Sequence, residues 1–141
     1  MTEAELYPFL QRHKLAVIGS VSEAGRPQSA LVGIAVTQRL EIVFDTVTTS
    51  RKYPNLIAKP DCSFTIAWDG AQTVQYEGLA EEIRPPDLAA YQRIYFQAWP
   101  DGPNRLSWPG IVYFVVRPVW IRYSDFAVEP ALVREFHFDP A

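Results

Sequence analysis

Short runs rich in β-branched and aromatic residues recur along this chain. Each is closed by turn-forming residues, and that pattern predicts strands. Leu15 to Val21 is the first, ended by the turn Ser22-Glu23-Ala24-Gly25-Arg26-Pro27. Gln28 to Val36 follows, and Thr37-Gln38 turns the chain into Arg39 to Thr46, so the first three strands form a meander. Pro60-Asp61 breaks the chain before Cys62 to Trp68, and Asp69-Gly70 is a hairpin signal leading into Thr73 to Ile83. Ile111 to Arg117 and Val119 to Phe126 are the last two strong strands. Leu132 to Phe138 is either an eighth strand or a tail that packs on a partner.

Helical spacing is confined to short pieces. Thr2 to His13 places Leu6, Phe9 and Leu10 on one face, with Thr2 and Glu5 spaced as a capping box. Pro8 opposes the helix, because it costs a backbone bond beyond the first turn. A second short helix is expected from Pro54 to Lys59. A third, capped by Asp87, runs through Trp99 with Leu88, Tyr91, Ile94, Tyr95 and Ala98 on one face. Pro100, Gly102, Pro103 and Pro109 make the following segment a loop. About seven strands in one open sheet would leave long edges exposed, so closure into a β-barrel with short helices is expected.

Composition narrows the class. The chain has 141 residues, the size of one domain, and no linker or repeat divides it. Apolar residues are 48% and charged residues 21%, which suits a globular chain. A net charge of −3 supplies no basic field for nucleic acid. One cysteine, Cys62, allows no internal disulfide, and with His13 and His137 it forms no metal-ligand set. The N-terminus lacks the basic and apolar regions of a secretory signal. No apolar run is long enough for a membrane helix. The expectation is a cytoplasmic protein.

Chemistry gathers in Phe44-Asp45-Thr46-Val47-Thr48-Thr49-Ser50-Arg51-Lys52. A β-branched run ends in hydroxyl residues and two adjacent cations, just before a helix whose macrodipole disfavours cations there. Hydroxyls, free backbone N–H groups and two cations suit a phosphate monoester. A strand followed by a polar turn and a solvated Arg-Lys pair is the alternative.

Four pieces, taken in order, resemble the FMN-binding split barrels related to pyridoxamine 5'-phosphate oxidase, which include general stress protein-like relatives. They are the 44–52 segment with Asn55-Leu56, then Pro60-Asp61-Cys62-Ser63-Phe64, then Val74-Gln75-Tyr76-Glu77-Gly78, and last Val116-Arg117-Pro118-Val119-Trp120-Ile121. The resemblance runs from about Leu15 to Phe126. It implies a homodimer with FMN at the subunit interface. Arg51 and Lys52 would hold the FMN phosphate, with hydroxyl bonds from Ser50 and Thr46. Leu31, Val32 and Gly33 would lie along the isoalloxazine. Gly33 would admit the flat ring, or else mark a bulge or barrel bend. Gln72 or Thr73 would reach the flavin from the partner. Where the oxidase carries cations on its second strand, this chain has Ala30-Leu31-Val32-Gly33-Ile34-Ala35. It also has Ser124 in place of a tryptophan. Its C-terminal segment, Arg134-Glu135-Phe136-His137, lacks the spacing of the substrate-phosphate grip. The resemblance therefore implies an FMN-dependent oxidoreductase with another small-molecule substrate. A non-catalytic flavin-binding stress or sensor protein, and a deazaflavin- or haem-binding relative, are the alternatives.

Other residues carry simpler readings. Cys62 is expected as a packed thiol, and His137 on the exposed face of a strand or tail. His13 suits a helix C-terminus. Glu81-Glu82 reads as a solvated pair. Trp120, Arg122 and Ser124 share one strand face, where Trp120 packs or meets the flavin. Trp99 and Trp108 flank the Pro-rich loop, at a substrate mouth or an interface.

Overall fold

The structure is a computed structural model that describes residues 1–68 and 70–139. The first helix, α1 (Glu3–Gln11), has the expected capping box: Thr2 Oγ1 accepts from the Glu5 N–H, and the Glu5 carboxylate accepts from the Thr2 N–H. Pro8 lies inside α1, and Leu6, Phe9 and Leu10 are its buried face. Strands β1 (Leu15–Val21) and β2 (Pro27–Gly33) form a hairpin. The expected second strand does not run to Val36 unbroken. It stops at Gly33, and β3 (Ala35–Val36) starts anew, because Ile34 N–H bonds back to Lys14 and leaves the ladder.

Strand β4 (Ile42–Val47) begins three residues later than the pattern suggested. Leu40 has φ of +64° in the preceding turn, where its carbonyl accepts from the Tyr76 hydroxyl at 2.7 Å. Helix α2 (Lys52–Ala58) begins two residues earlier than expected. Strands β5 (Asp61–Ile66) and β6 (Gln72–Glu82) follow, and the Asp69 half of the hairpin signal lies outside the described residues. Helix α3 (Leu88–Ala98) starts after Asp87, whose side chain makes no capping bond because its own backbone is already helical. A 3-10 turn (Gly102–Arg105) leads to β7 (Ile111–Asp125).

The two strands expected on either side of Pro118 are one strand. Proline cannot donate to a ladder, so it sits at a bulge, opposite Gly78. A Cβ at Gly78 would lie 2.5 Å from the Arg117 carbonyl oxygen, so glycine is needed there. Strand β8 (Leu132–His137) pairs with β7, which resolves the C-terminal segment as an eighth strand.

The sheet is antiparallel, in the order β2-β1-β5-β6-β7-β4-β3, with β8 beside β7. The chain passes from β2 to β3 through one residue, so the two ends of the sheet meet and it curls into a split barrel. Phe44, Phe64, Tyr76 and Phe114 fill the barrel, with Phe44 and Phe114 stacked at 5.4 Å. Val43, Tyr95, Tyr113 and Val115 form a second core under α3. Strand β4 is therefore buried on both faces, which explains its unbroken apolar start.

Candidate functional site

Two breaks in that packing carry the polar chemistry. After Phe44, β4 continues into Asp45 and Thr46, which alternate to opposite faces of the sheet. Thr46 Oγ1 donates to Ser50 Oγ at 3.0 Å, and Lys52 Nζ donates to Thr46 Oγ1 at 3.4 Å. The turn between them is fixed by two backbone bonds, Ser50 N–H to Val47 and Thr48 N–H to Gly110. Arg51 and Lys52 line a cleft of ≈ 160 Å³ with Ile18, Ser20, Gln28, Ser29 and Ala30 from the β1–β2 hairpin. Helix α2 ties the two walls together: Asn55, buried, donates to Ser20 Oγ at 3.1 Å and to Gln28 Oε1 at 2.9 Å.

The electrostatics of this cleft favour an anion. Among the described residues, neither Arg51 nor Lys52 is in an ion pair. Lys52 is half-buried, and its burial holds its pKa below the ordinary lysine value, opposed by the field of Asp45. A cation desolvated without a carboxylate in contact gains from any ligand that brings negative charge.

A larger open cleft, ≈ 1380 Å³, lies between α1, α3 and the 34–41 segment. It shares no residue with the first. Its arginines are already paired: Arg39 with Glu41, Arg84 with Glu82 and Arg117 with Glu81. Its lysine, Lys14, lies over the Trp99 ring, whereas the smaller cleft sets two cations side by side without an ion pair among the described residues. Glu82 itself departs from the expected solvated pair. Its side chain is only 11% exposed and accepts from the Tyr53 hydroxyl at 2.8 Å.

The remaining residues expected at a cofactor lie along one direction from this cleft. Leu31 is 62% exposed on β2, Val32 points into the core, and Gly33 lies under the indole of Trp99, whose Nε1 donates to the Ile34 carbonyl at 3.0 Å. Gln72 and Thr73 open β6. The register β1–β5–β6 puts them beyond the Ala16 end of β1, opposite to the Ser20 end that borders Lys52. Within one chain they are not brought to Ser50, Arg51 and Lys52. Cys62 is buried, and burial pushes its thiol up to about 12. His137 is exposed, and Trp120 donates to Glu135 at 3.0 Å on the outer face.

Sequence reading missed Ser20, Gln28 and Ser29, although the turn bounded by Val21 and Pro27 was a signal that their strands pair. It also missed that Asp45 is bound to Arg105 Nε at 2.9 Å and to the Tyr95 hydroxyl at 3.1 Å. Among the described residues no group of three or more His, Cys, Asp and Glu could hold a metal ion. None of their helices is long and apolar enough to cross a membrane.

A split barrel with a cationic, hydroxyl-lined cleft at the end of its fourth strand defines the class. The chain belongs to the pyridoxamine 5'-phosphate oxidase family, whose sequence profile matches residues 2–125. Among curated proteins none matches it. The fold is similar to that of a heme-binding protein from Mycobacterium smegmatis, with TM-score 0.78 and 17% identity over 96% of this chain. The chain spans 56% of that protein. It is also similar to a pyridoxamine 5'-phosphate oxidase-related, FMN-binding protein from Nostoc punctiforme (TM-score 0.66, 15% identity, covering 90% of this chain and 87% of the other). An F420 reductase superposes with TM-score 0.63 and 25% identity, covering 82% of this chain and 94% of its own.

Proposed function

We propose that this protein binds FMN through the cleft at Lys52 and acts as a cytoplasmic FMN-dependent oxidoreductase. The observation that carries the reading is Lys52: a half-buried ammonium, without an ion pair, that donates to Thr46 in a cleft shared with Arg51. The cleft is well below the roughly 300–1,000 Å³ of a complete small-molecule site. It therefore suits one end of a ligand, and a phosphate ester matches its donors. Ser50, Arg51 and Lys52 would grip the phosphate, and Asn55 would hold Gln28 and Ser20 in place behind it. The ring would then extend along β2 past Leu31 towards Gly33. FMN supplies hydride chemistry when bound, and the protein supplies binding, orientation and exclusion of water.

A second copy completes this reading. Leu31, Phe126 and Val133 are exposed apolar side chains that an isolated chain would leave in water. A two-fold dimer would cover such surface and bring the partner copy's β6 entrance, where Gln72 and Thr73 stand, to the open side of the flavin. The relatives that bind haem or F420 make those cofactors the controls of the test.

The experiment compares FMN, riboflavin and haem by titration calorimetry, with light scattering on the same sample. FMN should bind more tightly than riboflavin, at one per chain in a dimer. An Arg51→Ala, Lys52→Ala double variant should lose most of that preference, each charge-assisted bond being worth roughly 1.5–3 kcal/mol. Equal affinity for FMN and riboflavin would remove the phosphate-ester reading. Flavin bound without reduction by any donor would favour the non-catalytic binding protein.

A further inference from the structure

Asp45 stands one residue before Thr46, and its carboxylate is carried on the opposite face of β4 from the Lys52 cleft. It is 14% exposed, and the guanidinium that meets it, Arg105, is 16% exposed. The 3-10 turn contributes Arg105, whose Nε donates at 2.9 Å and whose Nη1 continues to Asp101 at 2.9 Å. Helix α3 contributes the Tyr95 hydroxyl, which donates at 3.1 Å, and β7 contributes Tyr113 directly opposite. Arg105 is thus the counter-charge in contact with Asp45, while Lys52 feels Asp45 only through space.

We propose that Arg105 is a charge-masking residue for the anion cleft: its pairing with Asp45 stops a carboxylate beside Thr46 from repelling the phosphate ester at Lys52 and Arg51. This rests on the phosphate-ester reading of the cleft. A buried carboxylate and a phosphate on the two sides of one strand interact through protein rather than bulk water, so their repulsion is weakly screened. With Arg105 in place Asp45 has a counter-charge in contact, the second carboxylate on Arg105, Asp101, is 60% exposed and screened by water, and the charge of Arg51 and Lys52 is left to the ligand. The arrangement makes FMN affinity depend on a residue that never touches FMN. Arg105 also sits against Trp108, 6.0 Å from its ring, which anchors the Pro-rich segment.

The test is a charge cycle on the full-length protein: Arg105→Gln, Asp45→Asn and the double variant. The probes are FMN, riboflavin and inorganic phosphate, with thermal unfolding on each sample. Masking predicts that Arg105→Gln weakens FMN and inorganic phosphate about tenfold and riboflavin hardly at all. It predicts that Asp45→Asn binds FMN at least as tightly as the parent, and that the double variant recovers parental affinity. A role confined to pinning the loop predicts the opposite. Either single change would then weaken FMN and riboflavin alike, and the double variant would stay weak. Where Arg105→Gln fails to fold, Asp45→Asn decides alone: weaker anion binding than the parent overturns the proposal. If the parent does not prefer FMN to riboflavin, the flavin reading falls. Inorganic phosphate then judges Arg105, and phosphate binding that is absent or indifferent to the cycle overturns the masking role.

Discussion

The indole of Trp99 fills the space that a side chain at Gly33 would need. A Cβ at Gly33 would lie 2.6 Å from Trp99 Cζ2 and 2.8 Å from Cε2. The sequence left two reasons for this glycine, a flat ring lying on the backbone or a bend in the barrel. The structure adds a third, since the strand ends at Gly33 and the indole closes over it. Lys14 stands over the same ring, 5.7 Å from its centroid.

Gly33→Ala should therefore push Trp99 aside and break its bond to the Ile34 carbonyl. Overpacking of this kind costs about 1–3 kcal/mol. Urea denaturation should show the loss, and near-ultraviolet circular dichroism should show a changed indole environment. Adding Trp99→Leu should make the alanine much less costly, because the clash partner is gone. An alanine variant as stable as the parent, with an unchanged indole signal, would contradict the contact.

Asn55 gives a second prediction. Its buried amide donates to Ser20 and Gln28, 35 and 27 residues away, across the cleft. Asn55→Ala leaves both acceptors without that donor and should cost about 1–3 kcal/mol of stability. It should also weaken FMN binding, measured at a temperature where the variant is fully folded, because the hairpin wall is no longer held against α2. Unchanged FMN affinity would show that the wall positions itself without Asn55.

Local features were legible in the sequence, and features made by pairing distant strands were not. The capping box of Thr2 and Glu5 lies within four residues, and the hydroxyl and cation run from Thr46 to Lys52 is contiguous. Both could be read directly. Asn55 with Gln28, and Asp45 with Arg105, join residues far apart in the chain through register and helix packing. No period or spacing announces them. Pro118 looked like a boundary because proline is a strand breaker, yet a bulge opposite Gly78 accommodates it within a single strand. Asp87 carried the right residue type for a cap, but its helical backbone aims the side chain away from the free N–H groups.

Cys62 yields a pH dependence. Desolvation is the main cause of its raised pKa, with the nearby Asp61 charge adding to it. The folded value is about 12 against 9.0 for an ordinary thiol. Between those values the folded state holds the proton that the unfolded chain has lost. This contribution is therefore complete below about pH 9 and is lost as pH rises towards 12, with a slope approaching about 1.4 kcal/mol per pH unit. Cys62→Ala should flatten the parent's fall in stability over that range. At neutral pH the parent thiol should react with a thiol-specific reagent far more slowly than a free cysteine. Rapid labelling of the folded protein would show that the strand opens there.

The last prediction concerns the substrate. A phosphate dianion taken out of water needs cations or several donors in return. The cleft at Lys52 offers two cations, and the flavin phosphate would use both. The exposed stretch of β2 nearest the proposed ring presents Leu31, and no lysine or arginine lies between Pro27 and Gly33. The C-terminal strand does not supply the lack. Glu135 is bound to Arg122 and Trp120, and Arg134 bonds to the neighbouring Val133 carbonyl. Neither β2 nor β8 therefore offers a prepared seat for a second phosphate. Oxidation of pyridoxamine 5'-phosphate should be at background, and removing its phosphate should make no difference to that rate. Anaerobic titration with a panel of donors, beginning with reduced nicotinamide coenzymes, should bleach the flavin absorbance with at least one of them. Sustained oxidation of pyridoxamine 5'-phosphate, abolished by a change at Arg134, would show that β8 forms the phosphate grip after all.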